Sequence, residues 1–252
     1  MAMDFSKVKS INIPEGSVSK ITISNKIVWQ KDTGDLPSEY QQIDYIYAPS
    51  GNGAYIDLGI QYAHGCTFEI GWVYTSNDIQ IFGATDTTGT YRCLLSAHFG
   101  NGPGLSYYGT SNNQLINIFY PPNDTTIGKL MKQKAVYKSG NNQGYIEDLD
   151  TGEKISFTIQ DYTVPNNLYL LGQNYKGNYR GLRLKQISYF KYWDNNDNLL
   201  RDMVPCYRKS DNVIGMYDKV SNTFFTNAGT GTFYKEIPTN ANDYVEDDID
   251  II

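Results

Sequence analysis

Short runs of apolar and aromatic residues, separated by Gly, Asn, Asp or Pro, recur about every ten residues along this chain. Runs such as residues 54–59, 67–74 and 134–137 suit strands, and no long segment has the 3.6-residue apolar period of an amphipathic helix. Tyrosine contributes 22 of the 252 residues, and aromatic side chains favour strands. The pattern predicts an all-β protein, most simply a two-sheet sandwich.

Four regions of different composition follow one another along the chain. Residues 1–30 contain three short strand patterns, the first at residues 8–13, and a meander of this size has too little core to be stable alone. Residues 31–35 are a polar linker, and residues 36–237 form the main body. Residues 238–252 are an acidic tail in which apolar residues alternate with carboxylates. The tail is either a solvated disordered segment or a strand that docks on a neighbouring subunit.

The charge and the apolar pattern of the chain argue against several classes of partner. The chain has 21 Lys and Arg against 27 Asp and Glu, a net charge of −6, whereas nucleic acid binding needs a basic surface. No run of about 18 apolar residues is present that would span a membrane. Residues 1–16 lack the apolar core of a signal peptide, so we expect no classical secretion.

The three cysteines, Cys66, Cys93 and Cys206, are widely spaced and form no C-x-x-C pair. An odd number of unclustered cysteines is typical of buried, reduced thiols in a protein made in a reducing cytoplasm. A single disulfide stays an open alternative, because the sequence cannot choose a pair.

No group of residues has the spacing of a catalytic centre. The carboxylates of residues 147–153 do not alternate toward one groove, as a glycoside hydrolase pair would, and Asp-Thr-Gly at 150–152 is typical of a hairpin turn. Only His64 and His98 could act as general bases, and no nucleophile motif surrounds either. Zinc would need more His or clustered Cys. We therefore predict a non-enzymatic protein without a bound cofactor.

Two other segments superficially resemble ligand loops. Residues 194–198 (Asp-Asn-Asn-Asp-Asn) lack the glycine and the distant glutamate of an EF-hand, so a turn is the better interpretation. The Gly-rich residues 100–109 follow no strand–helix pattern that would cradle a phosphate. Calcium at another loop stays an open alternative, although no clear motif supports it.

Three blocks of sequence carry a family resemblance. Residues 36–46 (LPSEYQQIDYI) with 54–60 (AYIDLGI) resemble the opening of concanavalin A-like, or laminin G-like, jelly-roll domains in phage and prophage structural proteins of gut bacteria. Residues 187–206, with the runs ISYFKYW and LRDMVPC, resemble the penultimate hairpin of these domains, and residues 212–233 resemble the last one. The resemblance implies two antiparallel sheets packed face to face. It also implies that the opening and closing blocks meet.

Two tyrosine-rich segments have the mixture of side chains that binds sugars. Sugars stack on aromatic rings and form hydrogen bonds with Asn, Asp and Gln side chains. We expect residues 91–108 and 174–180 to be loops of this composition. The candidate glycan contacts are Tyr91, Arg92, His98, Asn101, Tyr107, Tyr108, Asn174, Tyr175, Asn178 and Tyr179. Alternatively, these tyrosines cover sheet edges or a subunit interface. Trp72 and Trp193 lie in strong strand patterns and are expected in the core.

The resemblance and the missing catalytic residues lead to one functional hypothesis. We expect a non-enzymatic virion component (fibre, tail or capsid decoration), assembled in the host cytoplasm and displaying a lectin-like jelly roll. Residues 1–30, which resemble small modules at the front of such proteins, would attach it to other virion proteins, and the acidic tail could also contribute. A homo-oligomer and adhesion to a host-surface glycan are expected. The alternatives are a glycan-active hydrolase and a bacterial surface lectin of the same fold.

Overall fold

The structure is a computed structural model that describes residues 20–23, 26–30, 36–73, 75, 79–89, 91–98, 102–109, 112–117, 128, 130–138, 143–158, 161–181 and 184–235. Within these ranges, only the backbone is described for residues 20–23, 26–30, 97–98, 102–109, 112–117 and 138. The chain divides into two compact units, Met1–Asp35 and Leu36–Ile252. In the part of the chain that is described, no helix is long and apolar enough to cross a membrane.

The described residues of the first unit form one β-hairpin. Strand β1 (Lys20–Ile23) pairs antiparallel with β2 (Lys26–Gln30). These strands correspond to the second and third strands expected from the sequence. The first expected strand, at residues 8–13, and the acidic tail, at 238–252, lie outside the described residues.

The second unit consists of short strands joined by turns. In chain order they are β3 (Tyr40–Gln42), β4 (Ile46–Ala48), β5 (Ile56–Ala63), β6 (Thr67–Val73), β7 (Ile79–Thr85), β8 (Arg92–His98), β9 (Gly102–Gly109), β10 (Asn112–Asn117), β11 (Leu130–Lys138), β12 (Gln143–Asp148), β13 (Lys154–Thr158), β14 (Thr163–Leu170), β15 (Gln173–Tyr175), β16 (Asn178–Arg180), β17 (Lys185–Trp193), β18 (Leu199–Arg208), β19 (Ile214–Asp218) and β20 (Thr223–Phe225).

These strands form two sheets. The ten-stranded sheet has the order β13-β12-β11-β6-β17-β18-β19-β20, with β4 paired to β17 and β3 to β18. The eight-stranded sheet has the order β10-β9-β8-β7-β14-β5, with β15 beside β7 and β16 beside β15. The paired strands are antiparallel except β15 and β7, which share one parallel bridge between Asn174 and Ala84. This is the all-β, two-sheet jelly roll that the sequence predicts, with one short parallel pairing added.

The core lies between the two sheets because alternate residues of each strand point inward. Phe82 of the eight-stranded sheet has its ring centroid 4.8 Å from that of Phe68 and 5.1 Å from that of Phe190, both in the ten-stranded sheet. Trp72 is fully buried, as predicted, and its indole N–H donates to Gln133 Oε1 at 2.9 Å. Trp193 was wrongly placed in the core. It is half-buried beside Lys134, whose Nζ lies 5.5 Å from the indole ring, because odd-numbered residues of β17 from 189 onward point outward.

The opening and closing blocks of the jelly roll are in contact, as predicted. The ring of Tyr40 in β3 packs 5.1 Å from that of Tyr217 and 4.9 Å from that of Phe224. Just before β3 the chain makes a tight turn. The Tyr40 N–H donates to the Pro37 carbonyl at 2.8 Å. Pairing with β18 provides the remaining backbone bonds of this strand.

Single aspartates organise three hairpin turns. Asp148, Asp194 and Asp218 each accept backbone N–H bonds from residues two to four positions further along the chain. This geometry is an Asx turn, in which the carboxylate replaces a missing backbone partner. The turns predicted at 150–152 and within 194–198 are therefore confirmed. Their carboxylates hold the chain reversal.

All three cysteines are buried free thiols, as predicted. Burial raises the pKa of Cys66 and of Cys206 to about 12, so these thiols stay protonated at neutral pH. One further expectation concerned residues 91–108. This segment was expected to be a loop, yet β8 and β9 occupy most of it and pair with each other and with β7 and β10. Glycine alone does not favour a strand, but pairing with the neighbouring strands holds these glycines in one.

Candidate functional site

A tight hairpin, β15–β16, lies at one end of the eight-stranded sheet. Its two-residue turn is Lys176-Gly177, and both residues have positive φ, 56° and 88°. Positive φ at both positions is the mark of a type I′ turn, which matches the twist of the paired strands. Tyr175 and Asn178 are directly paired across the strands, so their side chains lie on one face of the hairpin.

The base of this hairpin is fixed by buried hydrogen bonds. Thr85 of β7 donates its hydroxyl to the Asn174 carbonyl at 3.3 Å and accepts the Lys176 N–H at 3.0 Å. The Asn174 side chain accepts the Gly177 N–H and donates to the Asn167 carbonyl, each at 3.0 Å. Thr85 and Asn174 are almost fully buried. These bonds hold the turn in one position on the sheet before any ligand arrives.

The loop between β7 and β8 meets this hairpin. Asp86 closes the loop, because its carboxylate accepts the Thr88 hydroxyl at 2.6 Å and the Tyr91 N–H at 3.2 Å. Gly89 has φ +79°, and a methyl group at its α-carbon would lie 2.7 Å from Lys176 Cε and 3.9 Å from the Tyr175 hydroxyl. Glycine suits the positive φ of this turn, and its lack of a side chain leaves room for the lysine.

We call the exposed surface formed by these two segments the hairpin rim. Its members are Thr87, Thr88 and Gly89 of the loop and Tyr175, Lys176, Asn178 and Arg180 of the hairpin. Lys176, Asn178 and Arg180 are exposed and Tyr175 is half-buried. Lys176 Nζ lies 5.2 Å, and Arg180 Cζ 5.4 Å, from the centroid of the Tyr175 ring. The rim therefore combines an aromatic ring with amide, hydroxyl and cationic hydrogen-bonding groups.

A stack of three tyrosines lies beside the hairpin. Tyr55 stacks on Tyr169 with a centroid distance of 4.2 Å and on Tyr179 at 4.9 Å. Burial, followed by interactions with Tyr55, raises the pKa of both outer tyrosines well above the ordinary phenol value. Lys185, which is fully buried, has its Nζ 6.0 Å from the centroid of Tyr179. The phenols of Tyr169 and Tyr179 are therefore neutral at physiological pH, and the stack is a packing element beside β16.

The predicted contact residues are distributed unevenly around this site. Tyr175 and Asn178 lie on the hairpin rim. Tyr179 is half-buried in the tyrosine stack, and Asn174 is buried with both amide atoms bonded internally, so it shapes the hairpin without reaching the rim. Tyr91 and Arg92 are half-buried at the start of β8, where the Tyr91 ring stacks on Tyr162 at 5.8 Å. His98, Tyr107 and Tyr108 lie in strands described by backbone only, and Asn101 lies outside the described residues.

Lys176, Arg180 and Thr88 belong to the hairpin rim but were not among the predicted contacts. One signal for the lysine is present in the sequence, because Lys-Gly between two short polar runs is a possible two-residue hairpin turn. The position of Arg180 follows from the register of that hairpin, in which it pairs with Gln173. Thr88 could not have been found this way, since it is separated from the hairpin by more than 80 residues and joins it only through the fold.

A second tyrosine–cation pair lies on the other sheet. Tyr145, Ser156 and Phe157 line a shallow groove at the β12–β13 edge, together with Gln143, Gly144 and Thr158. Lys154 Nζ lies 4.8 Å from the centroid of Tyr145 and 3.3 Å from Glu147 Oε2. This groove is the main competitor of the hairpin rim as a ligand site.

The described residues contain no group of three or more His, Cys, Asp and Glu side chains arranged to hold a metal ion. His64 is buried, with its Nε2 2.7 Å from Asp161 Oδ1. The predictions that the protein is not an enzyme and has no cofactor stay predictions. The chemistry that the hairpin rim offers is recognition: stacking, hydrogen bonding and attraction of negative charge.

Comparison with known proteins gives structural likenesses only. No protein-family model and no curated protein matches the sequence. Similar solved structures include a proposed carbohydrate-binding protein from Bacteroides ovatus, with 16% identity and a TM-score of 0.48 over 77% of this chain and 60% of that chain. The present chain thus spans about 60% of the length of that protein.

Two other solved structures are similar over smaller parts of the chain. The CBM40 of the Ruminococcus gnavus IT-sialidase, bound to α2,6 sialyllactose, has 17% identity and a TM-score of 0.41 over 59% of this chain and 90% of that chain. A SAP-like pentraxin from Limulus polyphemus has 10% identity and a TM-score of 0.41 over 62% and 77%, respectively. Likenesses at this level assign neither a family nor the role of any residue.

Proposed function

We propose that this protein is a non-enzymatic, lectin-like jelly roll that binds a glycan at the hairpin rim. The single observation that carries the proposal is the meeting of the β7–β8 loop with the β15–β16 hairpin around Tyr175. Two segments far apart in sequence thereby place an aromatic ring, an amide and hydroxyl groups on one exposed surface. These are the groups that a sugar ring and its hydroxyls contact.

The construction of the rim supports recognition because its supporting bonds are already made. Thr85 and Asn174 already form hydrogen bonds with backbone groups of the hairpin, so a ligand need not order this segment when it binds. A preorganised surface loses less conformational entropy on binding than a mobile loop. The exposed side chains of Lys176, Asn178 and Arg180 take no part in these supporting bonds.

The groove at Tyr145 fits this function less well. Its lysine is already paired with Glu147, and its tyrosine lies on β12, a strand that is paired with neighbours on both sides. The hairpin rim, in contrast, is assembled from two connections at one end of the sandwich, where binding residues are commonly carried by loops on a rigid scaffold. The two surfaces make different predictions and can be tested against each other.

The test is a glycan array followed by isothermal titration calorimetry of the best ligand. We expect Tyr175→Ala to weaken the affinity by about tenfold or more, because a central aromatic contact commonly contributes over 1.4 kcal/mol. Tyr145→Ala is the matched control, since Tyr145 is also half-buried beside a lysine, and it should leave the affinity unchanged. Loss of binding in Tyr145→Ala but not in Tyr175→Ala would move the site to the groove. An array without any bound glycan would contradict the function itself.

The virion assignment belongs to the same proposal and is supported by the sequence resemblance alone, which covers most of residues 8–233. In it, the jelly roll is displayed on a phage particle, and residues 1–30 attach it to other virion proteins. Deletion of residues 1–30 should abolish incorporation into particles, as measured by mass spectrometry of purified virions. Normal incorporation of the shortened chain would contradict this part, whatever the outcome of the glycan measurements.

A further inference from the structure

Two cations on the hairpin rim face a tyrosine ring and have no carboxylate partner among the described residues. Lys176 Nζ and Arg180 Cζ lie 5.2 and 5.4 Å from the centroid of Tyr175. None of the ion pairs within the described part of the chain includes either residue. The nearest acidic residue in the loop sequence, Asp86, is almost fully buried and already accepts bonds from Thr88 and Tyr91. The rim is thus locally cationic on a chain of net charge −6.

The described residues also pair Lys185 with Tyr179, Lys235 with Tyr207 and Lys154 with Tyr145, and the pair at Tyr145 includes a carboxylate. At Tyr145 the lysine lies over the ring at 4.8 Å, but a carboxylate of the neighbouring strand lies 3.3 Å from the same ammonium group. The charge there is compensated within the protein. At Tyr175 the guanidinium and the ammonium group remain available to an anion from outside.

The backbone at Lys176 supports the same interpretation. Of the five non-glycine residues with positive φ in the described part of the chain, three are Asn or Asp, which adopt this conformation readily. The other two are Leu171 and Lys176, which flank β15. The first position of a type I′ turn favours Asn, Asp or Gly, so a lysine there is held at a conformational cost. Residues in strained backbone conformations are concentrated at ligand sites, where the strain is offset by the role of the residue in binding.

We propose that the ligand of the hairpin rim is an acidic glycan, whose carboxylate or sulfate group binds between Arg180 and Lys176 beside the ring of Tyr175. This inference rests on the proposed function. A guanidinium group binds planar carboxylates and sulfate oxygens through paired N–H donors, and the lysine adds a point charge. Asn178, on the same face of the hairpin, is placed to contact the hydroxyls of the same sugar.

The experiment compares matched acidic and neutral glycans on the full chain. The array carries sialyllactose with lactose, oligogalacturonide with its methyl ester, and sulfated with unsulfated galactosides. We expect the acidic member of one pair to bind at least about tenfold more tightly, with an affinity that falls as salt is raised. The three pairs distinguish carboxylate from sulfate as the recognised group.

Two substitutions test the assignment of the charges. Arg180→Gln and Lys176→Asn should each reduce the preference for the acidic member, and Lys176→Asn should do so without loss of thermal stability, because asparagine suits the left-handed turn. Lys154→Gln removes the lysine that is paired with Glu147 beside Tyr145, and it should leave the preference for the acidic glycan unchanged. Equal binding of both members, still weakened by Tyr175→Ala, would overturn the acidic ligand and leave the proposed function standing. Binding to no glycan on the array would overturn the proposed function and, with it, this inference.

Discussion

The outer face of the ten-stranded sheet and the hairpin rim both place cations beside aromatic rings, but only the outer face supplies the cations with carboxylates. On that face, a row of charges of alternating sign crosses six strands through directly paired residues. The row consists of Lys154, Glu147, Lys134, Glu69, Lys191 and Asp202. Its outer members form ion pairs, at 3.3 Å between Lys154 and Glu147 and 3.8 Å between Lys191 and Asp202. No comparable row is described at the hairpin rim.

The difference separates a stabilising role from a recognition role for the same side chains. Opposite charges directly across a sheet stabilise it by a few tenths of a kcal/mol up to about 1 kcal/mol per pair, and the row as a whole neutralises itself. Such a face offers little net attraction to an anion. Cations that contact a tyrosine ring but no carboxylate can still attract an anionic ligand. The two regions therefore predict opposite responses to charge removal.

The largest expected effect concerns Lys185, a cation that lies in the interior and not on either of these surfaces. This lysine is fully buried, and burial lowers its pKa to about 7. Between pH 7 and about 10 the unfolded chain holds a proton that the folded chain has lost, so the free energy of unfolding should rise with pH because of this group. Lys185→Met should remove this rise and stabilise the protein at pH 6 by about 3–5 kcal/mol.

Urea denaturation of both proteins at pH 6 to 9 measures this effect as a difference. The difference is needed because buried tyrosines such as Tyr62 and Tyr137, whose pKa values burial raises, work in the opposite direction above pH 9. There the unfolded chain loses phenol protons that the folded chain keeps, and stability falls. A wild-type minus variant difference that stays constant with pH would show that Lys185 is charged and compensated in the folded protein.

An intermediate effect is expected at Asn174, which supports the hairpin rim from below. Asn174→Ala removes a bond to the Gly177 N–H and one to the Asn167 carbonyl, which should lower the free energy of unfolding by about 1–3 kcal/mol. Glycan affinity should fall with it, because the turn loses its fixed position. Asn178→Ala is the control: its side chain is exposed, so affinity should fall while stability changes by less than about 0.5 kcal/mol. Unchanged stability in Asn174→Ala would show that the hairpin is held by β7 alone.

The fold could be predicted because its signals are local. The short apolar runs of β6 and β17, and turn residues such as Asp-Thr-Gly at 150–152 and the Asn-rich 194–198, specify strands and reversals within a few residues. The expectation failed where partners outside the local pattern decide the structure. The Gly-rich residues 102–109 were expected in a loop, but they form β9, which pairs with a strand on each side. Trp193 ends an apolar run that was expected in the core, but its side chain points outward.

The site could be predicted only in part, because it depends on contacts between distant segments. Tyr175 and Asn178 were found from composition, since an aromatic residue beside amides is visible in the sequence. Asn174 belongs to the same run, but its burial follows from its pairing with Ala84 on β7, which no local pattern indicates. The role of Gly89 follows from the approach of Lys176, far along the chain. Composition therefore locates a hairpin, whereas the fold decides which of its side chains face solvent.

The smallest expected effect lies at the centre of the charged row. Lys134 is paired across the sheet with both Glu69 and Glu147, so Lys134→Met should leave two like charges without the cation between them. We expect a loss of at most about 1 kcal/mol at 50 mM salt, shrinking toward zero at 1 M, where the screening length is only about 3 Å. Glycan affinity should be unchanged. A loss of stability that persists at high salt would instead reflect packing of the lysine stem on Trp193. Weaker binding of the acidic glycan by the variant would show that the outer face also takes part in recognition.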